Sequence, residues 1–138
     1  MPQVRRIEVI PVTLTVTSNT AVKLAAQDCA NPAGSAALPR TVVCGVSMNA
    51  VTGTPTHIEF WLEFRANEND DWRICRQNNN GTNPTKVKFT AADVAAAIAE
   101  NILAVVPEGA QVRFCYQGNG CDGSNYFTIT DASLVLIP

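Results

Sequence analysis

Hydrophobic and polar residues alternate with a period of two along most of the chain. Ile7 and Val9 interleave with Arg6 and Glu8, and Val12, Leu14 and Val16 interleave with Thr13, Thr15 and Thr17. Such alternation puts successive side chains on opposite faces of a strand. Pro11 removes a ladder donor and marks an edge, a bulge or a break between two short strands. Val22 and Leu24 predict a further short strand after the Ser18-Asn19 turn. Val42, Cys44, Val46 and Met48 repeat the pattern, which Gly53-Thr54-Pro55 closes.

The clearest hairpin follows. Ile58, Phe60, Leu62 and Phe64 share one face, and Glu59, Trp61, Glu63 and Arg65 share the other. Asn67-Glu68-Asn69-Asp70-Asp71 makes the turn, because Asn and Asp bond to their own backbone there. Trp72-Arg73-Ile74-Cys75 returns. Pairing Phe64 with Ile74 sets Trp72 and Ile74 on the core face and Glu63 near Arg73 outside. A one-residue slip sets Arg73 against Phe64, so the hydrophobic pattern selects the first register.

Thr90 and Asp93 have the spacing of a helix cap, and Val94, Ile98 and Ile102 recur at helical intervals. This predicts a helix over residues 91–103. Val112, Phe114 and Tyr116 mark the next strand, and residues 126–130 and 133–137 complete the set. The sum is an all-β chain: an antiparallel β-sandwich or jelly roll of seven to nine short strands, with one short crossover helix, in a single domain over residues 1–138. Residues 27–39, with Asn31-Pro32 and Gly34-Ser35, read as a surface loop and a place to look for contacts with a neighbouring chain.

Composition sharpens the picture. The chain has 138 residues, of which 16% are charged and 46% hydrophobic. An ordinary soluble domain has roughly 25% charged residues. Either Thr, Asn and Ser solvate the surface, or partners cover part of it. The formal charge is 10 − 12 = −2. Its longest basic cluster is Arg5-Arg6, which argues against nucleic acid as a partner. No apolar run reaches the roughly 18 residues of a membrane span. The first six residues lead into alternation, so no signal peptide is expected.

Candidate chemistry is sparse. The single histidine, His57, lacks a Gly-x-Ser-x-Gly elbow for a Ser-His-Asp set. Glu59 and Glu63 share one strand face with backbones about 13 Å apart, too far for a glycosidase pair, and read as a solvated face. The 67–71 turn carries oxygens at alternate positions but lacks the Gly and distal Glu of a calcium loop. Five cysteines, Cys29, Cys44, Cys75, Cys115 and Cys121, show no C-x-x-C spacing. They read as buried thiols, with Cys115 and Cys121 the best disulfide candidate outside a cell. No cofactor or metal is expected, and no enzyme. Trp61 faces away from the Ile58–Leu62 side, so it is an interface anchor, a sugar platform, or a ring laid on its own sheet under a loop.

Phe64-Arg65-Ala66-Asn67-Glu68-Asn69-Asp70-Asp71-Trp72 looks like a strand, an acidic turn and a strand start. Together with residues 107–114 and 128–134 it resembles jelly-roll modules of bacteriophage virion accessory proteins and of carbohydrate-binding modules. The first resemblance implies a non-enzymatic capsid cement or decoration protein. Such a protein would be located in the virion and bridge subunits of a major capsid or other virion protein, as a homo-oligomer or assembly-bound. Its expected contact residues are Arg5, Arg6, Asn31, Pro32, Glu59, Trp61 and Glu63. The second implies a sugar-binding module, for which Trp61, Tyr116 and Tyr126 are the candidate aromatics.

Overall fold

A computed structural model describes residues 4–29, 40–75, 86–94, 99–107 and 109–137, the side chains of 49, 50 and 99–101 excepted. Eleven strands and one helical turn follow in order: β1 Arg5–Ile10, β2 Leu14–Val16, β3 Val22–Lys23, β4 Gln27–Asp28, β5 Arg40–Thr52, β6 His57–Arg65, β7 Arg73–Ile74, β8 Val87–Thr90, α1 Ala91–Val94, β9 Ala99–Val106, β10 Gln111–Asn119 and β11 Tyr126–Ile137. One sheet has the order β1-β11-β5-β9, with β2 also on β11. The other has β3-β10-β6-β7, with β4 on β10 and β8 on β6. All pairings are antiparallel.

Taking β1, β3, β5, β6, β8, β9, β10 and β11 as the principal eight, one sheet holds the first, eighth, third and sixth, and the other the second, seventh, fourth and fifth. That is the jelly-roll arrangement. The core lies between the sheets. Val42, Cys44, Val46 and Met48 of β5 and Ile102, Ala104 and Val106 of β9 point into it from one side. Ile58, Phe60 and Leu62 of β6 and Val112, Phe114 and Tyr116 of β10 meet them from the other. Phe60 stacks on Phe114 with ring centroids 5.7 Å apart.

The period of two also explains a change of phase. In β11, Phe127 and Ile129 are buried at odd positions, and Ala132, Leu134 and Leu136 at even ones. Thr128 pairs with Ala50, Ile129 with Met48 and Asp131 with Ser47, so each strand carries one extra residue there. The Thr130 hydroxyl donates to the Ser47 carbonyl across this irregularity at 3.0 Å. A bulge shifts the alternation by one, so residues 126–137, read as two strands, form one. On its other side β11 pairs with β2 through residues 127–129 and with β1 through residues 132–136. Pro11 sits in the gap between those two short strands.

Three further expectations need correction. The helix predicted over 91–103 is one turn, Ala91–Val94. Its cap forms as expected: the Thr90 amide and hydroxyl donate to Asp93 Oδ2 at 2.8 and 2.9 Å. Residues 99–106 instead pair with β5 at eight consecutive positions. Ile102 satisfies both a four-residue and a two-residue spacing, and burial of Ile102, Ala104 and Val106 between exposed Leu103 and Val105 follows the strand period. A second neighbour for the 13-residue β5 outweighs the helix propensity of the alanines. The turn still serves as the crossover, carrying the chain from β8 in one sheet to β9 in the other.

Second, the hairpin adopts the slipped register, with Glu63 opposite Ile74 and Phe64 opposite Arg73. Cys75 then turns into the core, and its amide donates to the Leu62 carbonyl at 2.8 Å. Ile74 is left 39% exposed. Burying Cys75 and freeing Trp72 for two guanidinium groups outside outweighs the burial of one isoleucine at the end of a two-residue strand. Third, the segment read as loop begins with a strand, since Gln27 and Asp28 pair with Val112 and Gln111.

The register makes a measurable distinction. Ile74→Thr should change stability by no more than about 0.5 kcal/mol, whereas Leu62→Ala should cost about 2–5 kcal/mol. Urea denaturation of both variants checks this, and a core-sized loss for Ile74→Thr would restore the other register.

Candidate partner-binding surfaces

The outward face of the six-stranded sheet carries the aromatic and charged residues that the sequence singled out. Trp61 lies on β6 opposite Cys115 of β10. It is buried, at 2% exposure, rather than open as an anchor or platform. Lys86 Nζ lies over its ring at 4.1 Å from the centroid. Its indole N–H donates to Glu63 Oε2 at 3.0 Å.

Glu63 is buried too, not part of a solvated face. Its partner across the sheet is Arg113, not Arg73, which the slipped register turns to the other face. Arg113 Nε and Nη2 donate to Glu63 Oε1 at 2.8 and 2.6 Å, and Lys23 Nζ lies 3.4 Å from Oε2. Burial pushes the Glu63 carboxyl up, but the hydrogen bonds from Trp61 and Arg113 and the charges of Arg113 and Lys23 outweigh it and hold it below the usual range. Arg65 and Arg113 place their guanidinium carbons 4.5 and 4.1 Å from the Trp72 ring centroid. Arg65 Nε also donates to Gln111 Oε1 at 2.7 Å. Lys23, Glu63, Arg113, Trp72, Arg65 and Gln111 thus form one chain of contacts, each polar group engaged by a neighbour.

This arrangement seals the outer face. Its carboxylate, Glu63, is already saturated with donors. Glu59 stands apart, half-buried, with His57 Nε2 3.5 Å from its Oε1. Sequence reasoning missed Arg113 and Lys23, which reach Glu63 only through strand pairing. The alternation of Gln111, Arg113, Cys115 and Gln117 was the available signal. In the 67–71 turn, Asn67 Oδ1 accepts the Asn69 amide at 2.9 Å. Among the described residues no group of three or more His, Cys, Asp or Glu side chains is placed to hold a metal ion.

The outward face of the five-stranded sheet is different. Pairing aligns Arg6, Val135, Val43 and Leu103 in one row across β1, β11, β5 and β9. The next row holds Ile137, Thr41 and Val105. Leu103 is 42% exposed, Val105 67% and Ile137 37%, and Val4, just before β1, is 63% exposed. Arg6 borders this apolar stripe and pairs with Glu8 at 2.8 Å. Beside it the Asp131 carboxyl is held above its usual range by its hydrogen bond to Glu8, by partial burial and by the Glu8 charge. Arg5 points the other way, its Nη1 donating to the Asp28 carbonyl at 3.0 Å and so tying β1 to β4 of the opposite sheet. Asn31 and Pro32 lie outside the described residues.

All five cysteines are free and buried. The pair suggested by spacing is separated by the sheet itself. Cys115 faces outward beside Trp61, whereas Cys121 packs in the core, where a Cβ on Gly118 would meet its sulfur at 2.7 Å. Burial pushes the thiols of Cys29, Cys75 and Cys115 up to about 11, 12 and 12, with the Glu63 charge adding to the rise at Cys115.

Two expected outcomes test this description. Glu63→Gln leaves Arg113 and Lys23 without their anion. It should cost about 2–3 kcal/mol at neutral pH, less than a fully buried pair because Lys23 reaches water. Because the folded carboxyl titrates below its unfolded value, its contribution is complete above the ordinary carboxylate range and is lost as pH falls through the folded value. Acid titration of stability should therefore be shallower in Glu63→Gln than in the parent. For the cysteines, native thiols at pH 8 should react with an aromatic disulfide reagent at least about 100-fold slower than in urea. Fast labelling of the native protein would contradict their burial.

No protein-family model matches the chain, and no curated protein matches it. Among solved structures, the chain is similar to the structure of infectious bursal disease virus Gx strain, with 9% identity and a TM-score of 0.49 over 99% of this chain and 32% of that one. It is also similar to TmCBM61 in complex with β-1,4-galactotriose, with 10% identity and a TM-score of 0.41 over 95% of this chain and 86% of that one. Infectious bursal virus derived T=1 particles give 8% identity and a TM-score of 0.32 over 99% of this chain and 40% of that one. The chain spans about a third of the length of the first viral chain. None of the three is a bacteriophage protein.

Proposed function

We propose that the chain is a non-enzymatic structural protein of a virion, of capsid cement or decoration type, that grips coat subunits through the outward face of its five-stranded sheet. The observation that carries this reading is the apolar stripe of Leu103, Val105, Ile137 and Val4, each at least 37% exposed, on a sheet face bordered by Arg6 and Glu8. Scattered exposed apolar residues are ordinary, but a contiguous set with a polar border is the anatomy of a protein contact. Arg6 and Glu8 would form the wet rim, and Val43 and Val135 fill the rows between them. Low charge over the whole chain accords with a surface covered by partners.

The sugar-binding reading needs two open aromatic rings with polar neighbours. Of its three candidates Trp61 and Tyr116 are buried, which leaves the half-buried Tyr126 without a second ring from the set, and Trp72 is occupied by two guanidinium groups. The adhesive reading therefore has the better-placed side chains.

Gradient sedimentation of a native-source lysate, with peptide mass spectrometry of each fraction, tests the proposal. The chain should travel with megadalton particles at fixed stoichiometry to a coat protein. Its recovery at the top of the gradient as a monomer or small oligomer would refute the reading. With particles in hand, Ile137→Glu should weaken rebinding at least about tenfold, since placing a charge in an apolar contact costs more than about 1.4 kcal/mol.

A further inference from the structure

Sheet edges offer unpaired backbone groups to any passing strand, and folded proteins guard them with charge, bulges, proline or shortness. Three of the edges here are guarded in these ways. β1 carries Arg5, Arg6 and Glu8 within six residues and has an irregularity between Glu8 and Ile10. β3 and β4 have two residues each, with Lys23 on β3. On the far side of the same sheet, β7 has two residues and β8 four, with Lys88 among them.

β9 lacks these devices over its second half. It pairs with β5 at eight consecutive positions without a shift, so no bulge interrupts it. Its last five residues, Ile102-Leu103-Ala104-Val105-Val106, contain no charge and no proline. Among the described residues β9 pairs with β5 alone. Leu103 and Val105 stand exposed on it, and Ile102, Ala104 and Val106 point into the core.

The same five residues read alike in both directions, with two branched aliphatic residues on each side of Ala104. We propose that a second copy of this chain pairs with β9 in antiparallel fashion about a two-fold axis at Ala104. Residues opposite one another in an antiparallel pair share a face. Leu103 of each copy then faces Val105 of the other outside, and Ile102 faces Val106 inside. The smallest side chain lies at the axis. A segment that complements itself is what an isologous contact requires, which favours a second copy over a foreign strand. Pro107 has no amide hydrogen and ends the ladder. The two five-stranded sheets join into one, and the apolar stripe becomes continuous across the dimer. This inference goes beyond coat binding and is measured on the isolated full chain, so its failure leaves that reading standing.

Sedimentation velocity of the purified chain should give twice the chain mass. Val105→Lys changes a residue that is 67% exposed and so should leave the fold and its circular dichroism intact. It should raise the dimer dissociation constant at least about tenfold, because each copy then sets a charge against Leu103 of the other. Register is read by cross-linking. The native thiols are buried, so an equal mixture of Leu103→Cys and Val105→Cys chains should form disulfide-linked heterodimers under mild oxidation, and either variant alone far fewer. A monomeric parent chain up to its solubility limit, or a dimer indifferent to Val105→Lys, overturns the proposal. Strong self-linking of Leu103→Cys alone overturns the axis at Ala104.

Discussion

The antiparallel ladder between β5 and β11 is the constraint on which the rest of the molecule depends. These are the longest strands, and they form the middle of the five-stranded sheet. Every other strand of that sheet pairs directly with one of them. Their irregularity near Asp131 shifts the inward phase of both. Without it, either Phe127 and Ile129 or Leu134 and Leu136 would face solvent. The buried cost of exposing two such side chains, about 1.5–3 kcal/mol each, makes the irregularity a requirement of this sequence and not an accident of geometry.

The second sheet uses a different device. β6 and β10 bury their inward residues in the core but also bury Trp61, Glu63 and Cys115 on the outward side. A buried carboxylate is tolerated only where donors replace its water. Glu63 has the Trp61 indole, the Arg113 guanidinium and the Lys23 ammonium group in that role. The result is a small polar and aromatic seal over one sheet, while the opposite sheet leaves apolar side chains in water. Among the described residues the two faces of the sandwich therefore differ: one carries engaged polar and aromatic groups with Ile74 at its margin, the other a row of exposed aliphatic side chains.

Much of this was legible in the sequence, because alternation is a local signal. Ile58, Phe60 and Leu62 declare β6 and its inward face without any knowledge of partners. The Thr90–Asp93 cap was legible for the same reason. What failed depended on remote residues. Ile102 fits two periods, and only the need of β5 for a neighbour decides between them. Ile74 looks like a core residue until Cys75 competes for the same place. Trp61 looks open until Lys86 lies across its ring, and Glu63 looks solvated until Arg113 arrives from fifty positions away. The apolar stripe was legible only as a shortage of charge, since the rows that assemble it cross four strands.

Strand β11 has one more implication. It lies between β1 and β5, and its partners on one side, β1 and β2, precede all other strands in the chain. The residues that pair with Arg5 and Ile7 are Leu136 and Leu134. On a ribosome, β1 therefore emerges with nothing to pair with until almost all of the described chain has been made. Closure of the sheet must therefore wait for synthesis of β11. Such long-range closure makes folding slow, and it ties the appearance of the apolar stripe to the arrival of β11.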